Sequence, residues 1–334
     1  MRLVTALILG FVIDLILGDP HSLIHPVQII GWFISAFKKG IQRLLYGCLY
    51  QEAMDKGMKQ KKNMELFLGF VMMLLIVGGT YAVIWGILFA AERIHSGLAF
   101  CLEVLFIYQI LATRSLRTES MKVYHRLKEG DLAGARKEIS YLVGRDTQSL
   151  DEAEIAKADI ETIAENLADG VVAPMFFIAL GGAPLGFAYK AVNTLDSMVA
   201  YRNPENLYIG RASAKADDLC NFIPARLAAI MIIIASGLLG MDIRGAWRIF
   251  LRDRYKHLSP NSAQTEAAAA GALQIQLGGT HTYFGKVVEK PVIGDDIRPV
   301  VFDDIRKMNR LLYASAFLSL MVCCALSWFL QIFI

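Results

Sequence analysis

Apolar and polar positions fall in long blocks along this chain. "LFLGFVMMLLIVGGTYAVIWGILFAA" (Leu66–Ala91) and "LLYASAFLSLMVCCALSWFLQIFI" (Leu311–Ile334) contain no charged residue. Each exceeds the roughly 20 residues that an α-helix needs to cross a bilayer, so both predict transmembrane helices. "LVTALILGFVIDLILG" near the amino end is shorter and carries Asp14. Without a small-residue cleavage site it reads as an anchor or shallow helix, not a removed signal peptide. "GLAFCLEVLFIYQILAT" carries Glu103, and "LAAIMIIIASGLLGM" sits at the short limit. About four to six membrane helices are expected.

One apolar block, "VVAPMFFIALGGAPLGFA", is broken by Gly-Gly-Ala-Pro and runs straight into "YKAVNTLDSMVAYRN". Two shapes fit: a full crossing, or a hairpin that enters the membrane and returns. Irregular backbone at that depth must line a protein-buried or wet cavity. The re-entrant reading is favoured, because it leaves the polar motifs on both sides of the block at one membrane face.

The polar blocks are too rich to be mere connectors. Lys38–Glu65 holds seven Lys or Arg against three acids, which places it in the cytoplasm. Leu66–Ala91 and Gly97–Thr113 then form a hairpin across "ERIHS", returning the chain to the cytoplasm at Arg114. Residues 114–170 read as a helical cytoplasmic segment. It breaks at Gly130-Asp131, stops at Gly144, shows capping-box spacing at Ser149 and Glu152, and closes at Gly170. No strand-like alternation of any length is evident. The expectation is an all-α, polytopic membrane protein forming one domain over residues 1–334, with polar site-forming segments at 193–226 and 242–310.

Composition agrees. Of 334 residues, 55% are hydrophobic and 19% charged, with a mean hydropathy of +0.44. A net charge of +3 and the lack of a basic-aromatic stripe argue against a nucleic-acid partner. Five scattered cysteines without a CxxC read as reduced and structural.

Three stretches could carry chemistry. In "ETIAENLADGVVAP", Glu161, Glu165 and Asp169 recur every four residues, stacking three carboxylates on one helix face. A solvated acidic face is the plain explanation. The stripe runs into an apolar hairpin, however, where uncompensated carboxylates are costly and a divalent cation would compensate them. In "NTLDS", Asn193, Asp196 and Ser197 share a face, and one helix cap needs only one such residue. In "RASAKADDLCNFIPAR", Asp217, Asp218 and Asn221 stand among Arg211, Lys215 and Arg226. Acids for a metal beside bases for phosphate suit a phosphoester site; a surface salt-bridge cluster is the alternative.

Two further groups are weaker. "GDPHSLIHP" places Asp19, His21 and His25 together, in no zinc spacing. "HLSPNSAQTEAAAAGALQIQLGGTHTYFG" has an Asn261-Ser262 cap, a small-residue helix and a Gly278-Gly279 turn. Neither a P-loop nor GxGxxG is present.

Taken in order, "LGDPHSLIHPVQIIG", "VGRDTQSL", "ETIAENLADGVVAPMFFIALGGAPLGFAYKAVNTLDSMVAYRN", "ADDLCNFIPAR" and "SPNSAQTEAAAAGALQIQLGG" resemble the CobD/CbiB family of cobalamin biosynthesis. The resemblance spans nearly the whole chain and is weak only over Lys38–Glu65. It implies an adenosylcobinamide-phosphate synthase of the cytoplasmic membrane, with its active site facing the cytoplasm. Such an enzyme joins an amino-alcohol phosphate, usually aminopropanol phosphate, to the free propionate of adenosylcobyric acid, with ATP as cosubstrate and Mg2+ expected.

Carried onto this chain, the family motifs fall on Asp19, His25, Arg145, Asp146, Glu165, Asn166, Asp169, Asn193, Asp196, Ser197, Asp217, Asp218, Asn221, Arg226 and Asn261. Glu165, Asp169, Asp217 and Asp218 are the expected metal ligands. Asp196, with Glu165 and Asp169, is the expected catalytic group. Asn166, Asn193, Ser197, Asn221, Arg211, Lys215, Arg226, Asp19, His25 and Asn261 are expected to bind substrate. Besides the bilayer, a homo-oligomer or an assembly with other corrinoid-pathway enzymes is left open.

Two other readings compete. A secondary transporter also has broken membrane helices and membrane-edge carboxylates, but the long polar segments and absence of an evident repeat oppose it. A CDP-alcohol phosphotransferase is suggested by "ADGVVAP", yet Pro174 stands where that family's motif has Arg.

Overall fold

The computed structural model describes residues 1–19, 25–48, 58–200, 208–283 and 285–333. His21 and much of Lys38–Glu65 lie outside the described residues or their side chains. Among the described residues, four helical stretches are long and apolar enough to cross a membrane: 62–94, 96–128, 152–199 and 303–333. A fifth exists if two helices bent by 46° count as one span. The chain thus carries the helices of a multi-pass membrane protein.

Helix α1 (Arg2–Leu17) runs beside α4 (Ser96–Ile110), and α3 (Met58–Ile94) turns into α4 at His95. His95 caps that turn, its Nδ1 accepting the Gly97 N–H. Helix α2 (Pro26–Cys48) packs along α3, and α5 (Thr113–Lys128) and α6 (Leu132–Ser140) follow α4. The break at Gly130-Asp131 is present, with Asp131 capping α6.

Helix α7 (Glu152–Leu167) opens with a capping box, but one formed by Asp151 and Glu154 instead of Ser149 and Glu152. Nor does it stop at Gly170. It passes through a π-helical turn, Ala168–Val172, into α8 (Ala173–Val199). Such turns insert one extra residue and shift the side chains that follow. The Gly170 carbonyl is taken by the Ala112 N–H at 3.1 Å, which ties this turn to the end of α4.

Helix α8 is a hairpin, as the re-entrant reading expects. Gly181 (φ −154°, ψ 24°) and Gly182 (φ 70°, ψ −167°) leave helical geometry, and the second conformation is open almost only to glycine. The arm after Pro184 doubles back on the arm before it. The Phe177 and Tyr189 rings stack at 5.0 Å, and Gly186 fits tightly against Ile178. At the tip, Oε1 of Glu103 accepts the Ala183 N–H at 2.8 Å, supplying the partner that a broken helix needs away from water.

Beyond it, α9 (Arg211–Cys220) bends into α10 (Phe222–Leu238), followed by α11 (Ile243–Asp253), α12 (Ser262–Leu273) and the long α13 (Asp303–Phe333). Gly271 of α12 meets the Gly245 backbone of α11 almost in contact, the close approach that the alanine-rich sequence permits.

The chain is helical, with one exception to the strand-free expectation. Leu277–Tyr283 (β1) and Lys286–Ile293 (β2) form an antiparallel hairpin. Gly278 and Gly279 do not make a turn; they lie within β1 at a register shift, with φ of 74° and 99°. The hairpin is fastened from outside. Asp146 accepts the Gly285 N–H at 2.8 Å, Glu161 the Gly278 N–H at 2.7 Å, and Asp253 the Gly294 N–H at 2.9 Å.

Candidate active site

The hairpin of α8 decides where the acids go. A straight helix rising about 1.5 Å per residue would set Asp169 and Asp196 roughly 40 Å apart. Both instead line one cavity of ≈ 270 Å³. Glu165 enters from the end of α7, Asp217, Asp218 and Asn221 from the α9–α10 bend, and His257, Ser259, Asn261 and Ser262 from the segment before and at the start of α12.

Of the expected site residues, Glu165, Asp169, Asp196, Asp217, Asp218, Asn221 and Asn261 therefore share one wall. Each is held. Ser262 donates to Glu165 at 2.8 Å, and Asp217 accepts from the Asn221 amide at 3.0 Å and the Asn193 amide at 3.4 Å. Ser259 donates to Asp218 at 3.3 Å, while the Asn261 amide donates to the Asp218 carbonyl at 2.9 Å. The Tyr189 hydroxyl lies 2.9 Å from Asn221 Oδ1 and 3.1 Å from the Asp169 carbonyl, joining both arms of the site.

The acidic stripe is split. Glu161 does not reach the cavity; it pairs with Arg145 and accepts from Gly278. Glu161 lies behind the site, in a small space shared with His257, Glu266 and Lys290. Burial and the charges of Glu161 and Glu165 push the Glu266 carboxyl well above the usual range. Burial and Lys290 hold His257 below the ordinary histidine value, favouring the neutral ring. Its Nδ1 accepts the Ser259 N–H at 3.0 Å, which leaves the neutral ring's proton on Nε2.

Other expected residues stand outside the cavity wall. Asn193 and Arg226 act one step back, Arg226 reaching Asn261 Oδ1 at 3.4 Å. Asn166 and Ser197 bond to carbonyls of their own helices, at Thr162 and Asn193. Arg211 and Lys215 are exposed, on the helix face that continues from Ala214 and Asp218. Asp19 and His25 pair with each other at 3.7 Å. Lys190 is within electrostatic reach of Asp19 as well as of Asp169 and Asp217.

Sequence reasoning missed His257, Ser259, Ser262 and Thr265 as wall residues. Ser262 and Thr265 sit one and four places after Asn261, so they share its end of α12. A lone histidine in a loop gave no comparable signal.

The donor set is oxygen-rich, which suits a hard divalent cation. Among the described residues, no three acid, His or Cys side chains form a ready-made coordination group. Five of the described wall residues are carboxylates, Glu165, Asp169, Asp196, Asp217 and Asp218.

No solved structure matches this chain. The CobD/Cbib protein family matches residues 7–312. The cobalamin biosynthesis protein CobD of Clostridium perfringens is 44% identical over 328 residues, covering 98% of this chain and 99% of the relative. CbiB of Salmonella choleraesuis is 44% identical over 318 residues, or 95% of each chain. CobD of Geobacter metallireducens is 44% identical over 320 residues, covering 96% and 95%. This chain belongs to the CobD/CbiB family of cobalamin biosynthesis proteins.

Proposed function

We propose that this protein is an adenosylcobinamide-phosphate synthase, joining an amino-alcohol phosphate to the free propionate of adenosylcobyric acid with ATP as the driving cosubstrate. One observation carries the reading: acids from three distant stretches line a single cavity in a chain of the cobalamin-biosynthetic family.

A carboxylate is a poor acyl donor. Transfer of a phosphoryl group from ATP to the propionate oxygen would give an acyl phosphate and ADP. Attack by the amine then forms the amide and releases phosphate. Both steps depend on positioning and charge neutralisation. Mg2+ would neutralise phosphate charge; Glu165, Asp169, Asp217 and Asp218 are the residues to hold it, with one or two carboxylates and substrate phosphate sharing the ion. Asp196, on the opposite arm of the hairpin, would accept a proton from the attacking ammonium. Asn221 and Asn261 offer amides to substrate at the wall, and Arg211 and Lys215 supply positive charge along the α9 approach. The Lys/Arg-rich segment before α3 favours a cytoplasmic orientation of this face.

The test is to incubate purified protein with adenosylcobyric acid, ATP, Mg2+ and each candidate amine, then weigh the corrinoid. A mass gain equal to one amide-linked phosphoamine supports the reading; unchanged corrinoid in every mixture defeats it. Asp169→Asn and Asp196→Asn should each abolish product while still inserting into membranes.

A further inference from the structure

The cavity is small for the substrate just proposed. About 270 Å³ lies at the lower end of sites for drug-sized ligands. It suits a phosphate and the end of a propionate arm, while the macrocycle must rest outside. Its surroundings are not polar. At the α9–α10 bend, Leu219, Phe222 and Ile223 are 78%, 49% and 58% exposed, and Leu258, which also lines the cavity, is 74% exposed.

These side chains are tied to the site. Leu219 and Phe222 directly follow the wall residues Asp218 and Asn221 in sequence. Leu219 lies at the end of α9, and Phe222 and Ile223 open α10 directly after the bend. Ser259 and Asn261 bond Asp218, bringing the Leu258 loop against the same bend. The Arg226 guanidinium covers the Phe222 ring at 3.6 Å and reaches Asn261 at 3.4 Å. A flat cationic and aromatic plate therefore stands at the cavity's edge.

We infer that Leu219, Phe222, Ile223 and Leu258 form a docking rim for the apolar face of the macrocyclic substrate, whose reactive arm alone enters the cavity. The inference rests on the proposed function and adds where the bulk of the acid substrate binds. The amino-alcohol phosphate, which fits inside, makes no use of the rim.

The experiment uses the full-length protein in lipid nanodiscs and two exposed positions, Leu219→Ser and Ile223→Ser, singly and together. Equilibrium filtration measures binding of adenosylcobyric acid, and initial rates give KM for each substrate. Losing the burial of one such side chain should weaken corrinoid affinity about tenfold, and more in the double variant. KM for the amino-alcohol phosphate should hold. Undiminished corrinoid affinity overturns the rim, as does equal weakening for both substrates. So does loss of either variant from the membrane fraction, which would make these side chains lipid contacts. Wild-type protein that binds no corrinoid would instead remove the underlying function, a result separable from failure of the rim alone.

Discussion

Ser262 donates its hydroxyl proton to Glu165 at 2.8 Å across 97 residues of sequence. This bond fastens the start of α12 to the end of α7 and aims a carboxylate at the cavity. Hydrogen bonds to charged groups contribute about 1.5–3 kcal/mol. Ser262→Ala should therefore slow product formation roughly 10- to 100-fold, with Ser262→Thr recovering part of the loss. Steady-state rates on membranes of matched protein content would show it; an unimpaired alanine variant would make the bond incidental.

Gly182 carries φ 70° and ψ −167°, and a Cβ there would stand 2.7 Å from Glu103 Oε1. Backbone strain of this kind costs on the order of 1–3 kcal/mol, before the steric conflict with the acid that caps the hairpin. Gly182→Ala should lower the thermal midpoint in detergent and reduce activity along with it. Gly79→Ala, where the added methyl meets nothing within 4 Å, is the matched control and should change neither.

Asp253 is fully buried and bonds Arg252, Lys256 and the Gly294 N–H. Burial alone would raise its carboxyl, but these partners outweigh it and hold the group well below the usual range. Its stabilisation is therefore present above the ordinary value of 3.8 and is lost as pH falls through the folded value. Asp253→Ala should destabilise by about 1–3 kcal/mol near neutrality, because the buried Gly294 N–H loses its acceptor while Arg252 and Lys256 remain solvated. The gap to wild type should narrow in acid. Melting curves taken from pH 7 downward would decide; a constant gap would contradict the ion-pair account.

Glu266 has the opposite sign. Its carboxyl, raised by burial and by Glu161 and Glu165, favours the fold most below the ordinary value of 4.5. That favour is lost as pH rises toward the folded value. Glu266→Gln stays neutral throughout, so its melting temperature should gain on wild type as pH rises above the ordinary value of 4.5. Parallel curves would mean that Glu266 does not change charge on unfolding.

The membrane helices were legible because a span is set by length and lack of charge, and both are visible in Leu66–Ala91. Glu165, Asp169, Asp196, Asp217 and Asp218 were legible because acids beside apolar blocks are costly unless something gathers them. What could not be read is how side chains divide between neighbours. Glu161 shares the spacing of Glu165 and Asp169, yet Arg145, from a separate loop, captures it. The β-hairpin escaped because "LGGTHTY" has little apolar alternation, and its placement depends on Asp146, Glu161 and Asp253 rather than on strand propensity. The π-helical turn escaped too, since one inserted residue leaves no mark on helical periodicity.

The two arms of the α8 hairpin leave from the Gly181-Gly182 break, so Asp169, just before the first arm, and Asp196, on the second, stand like the jaws of tweezers. Spreading the arms would widen the gap between them and strain the bonds from Tyr189 to Asn221 and from Asn193 to Asp217. The fulcrum is gripped by Glu103, on a different helix at the far end of the lever. The spacing of these two acids is thus tied to a hydrogen bond at the far end of the hairpin.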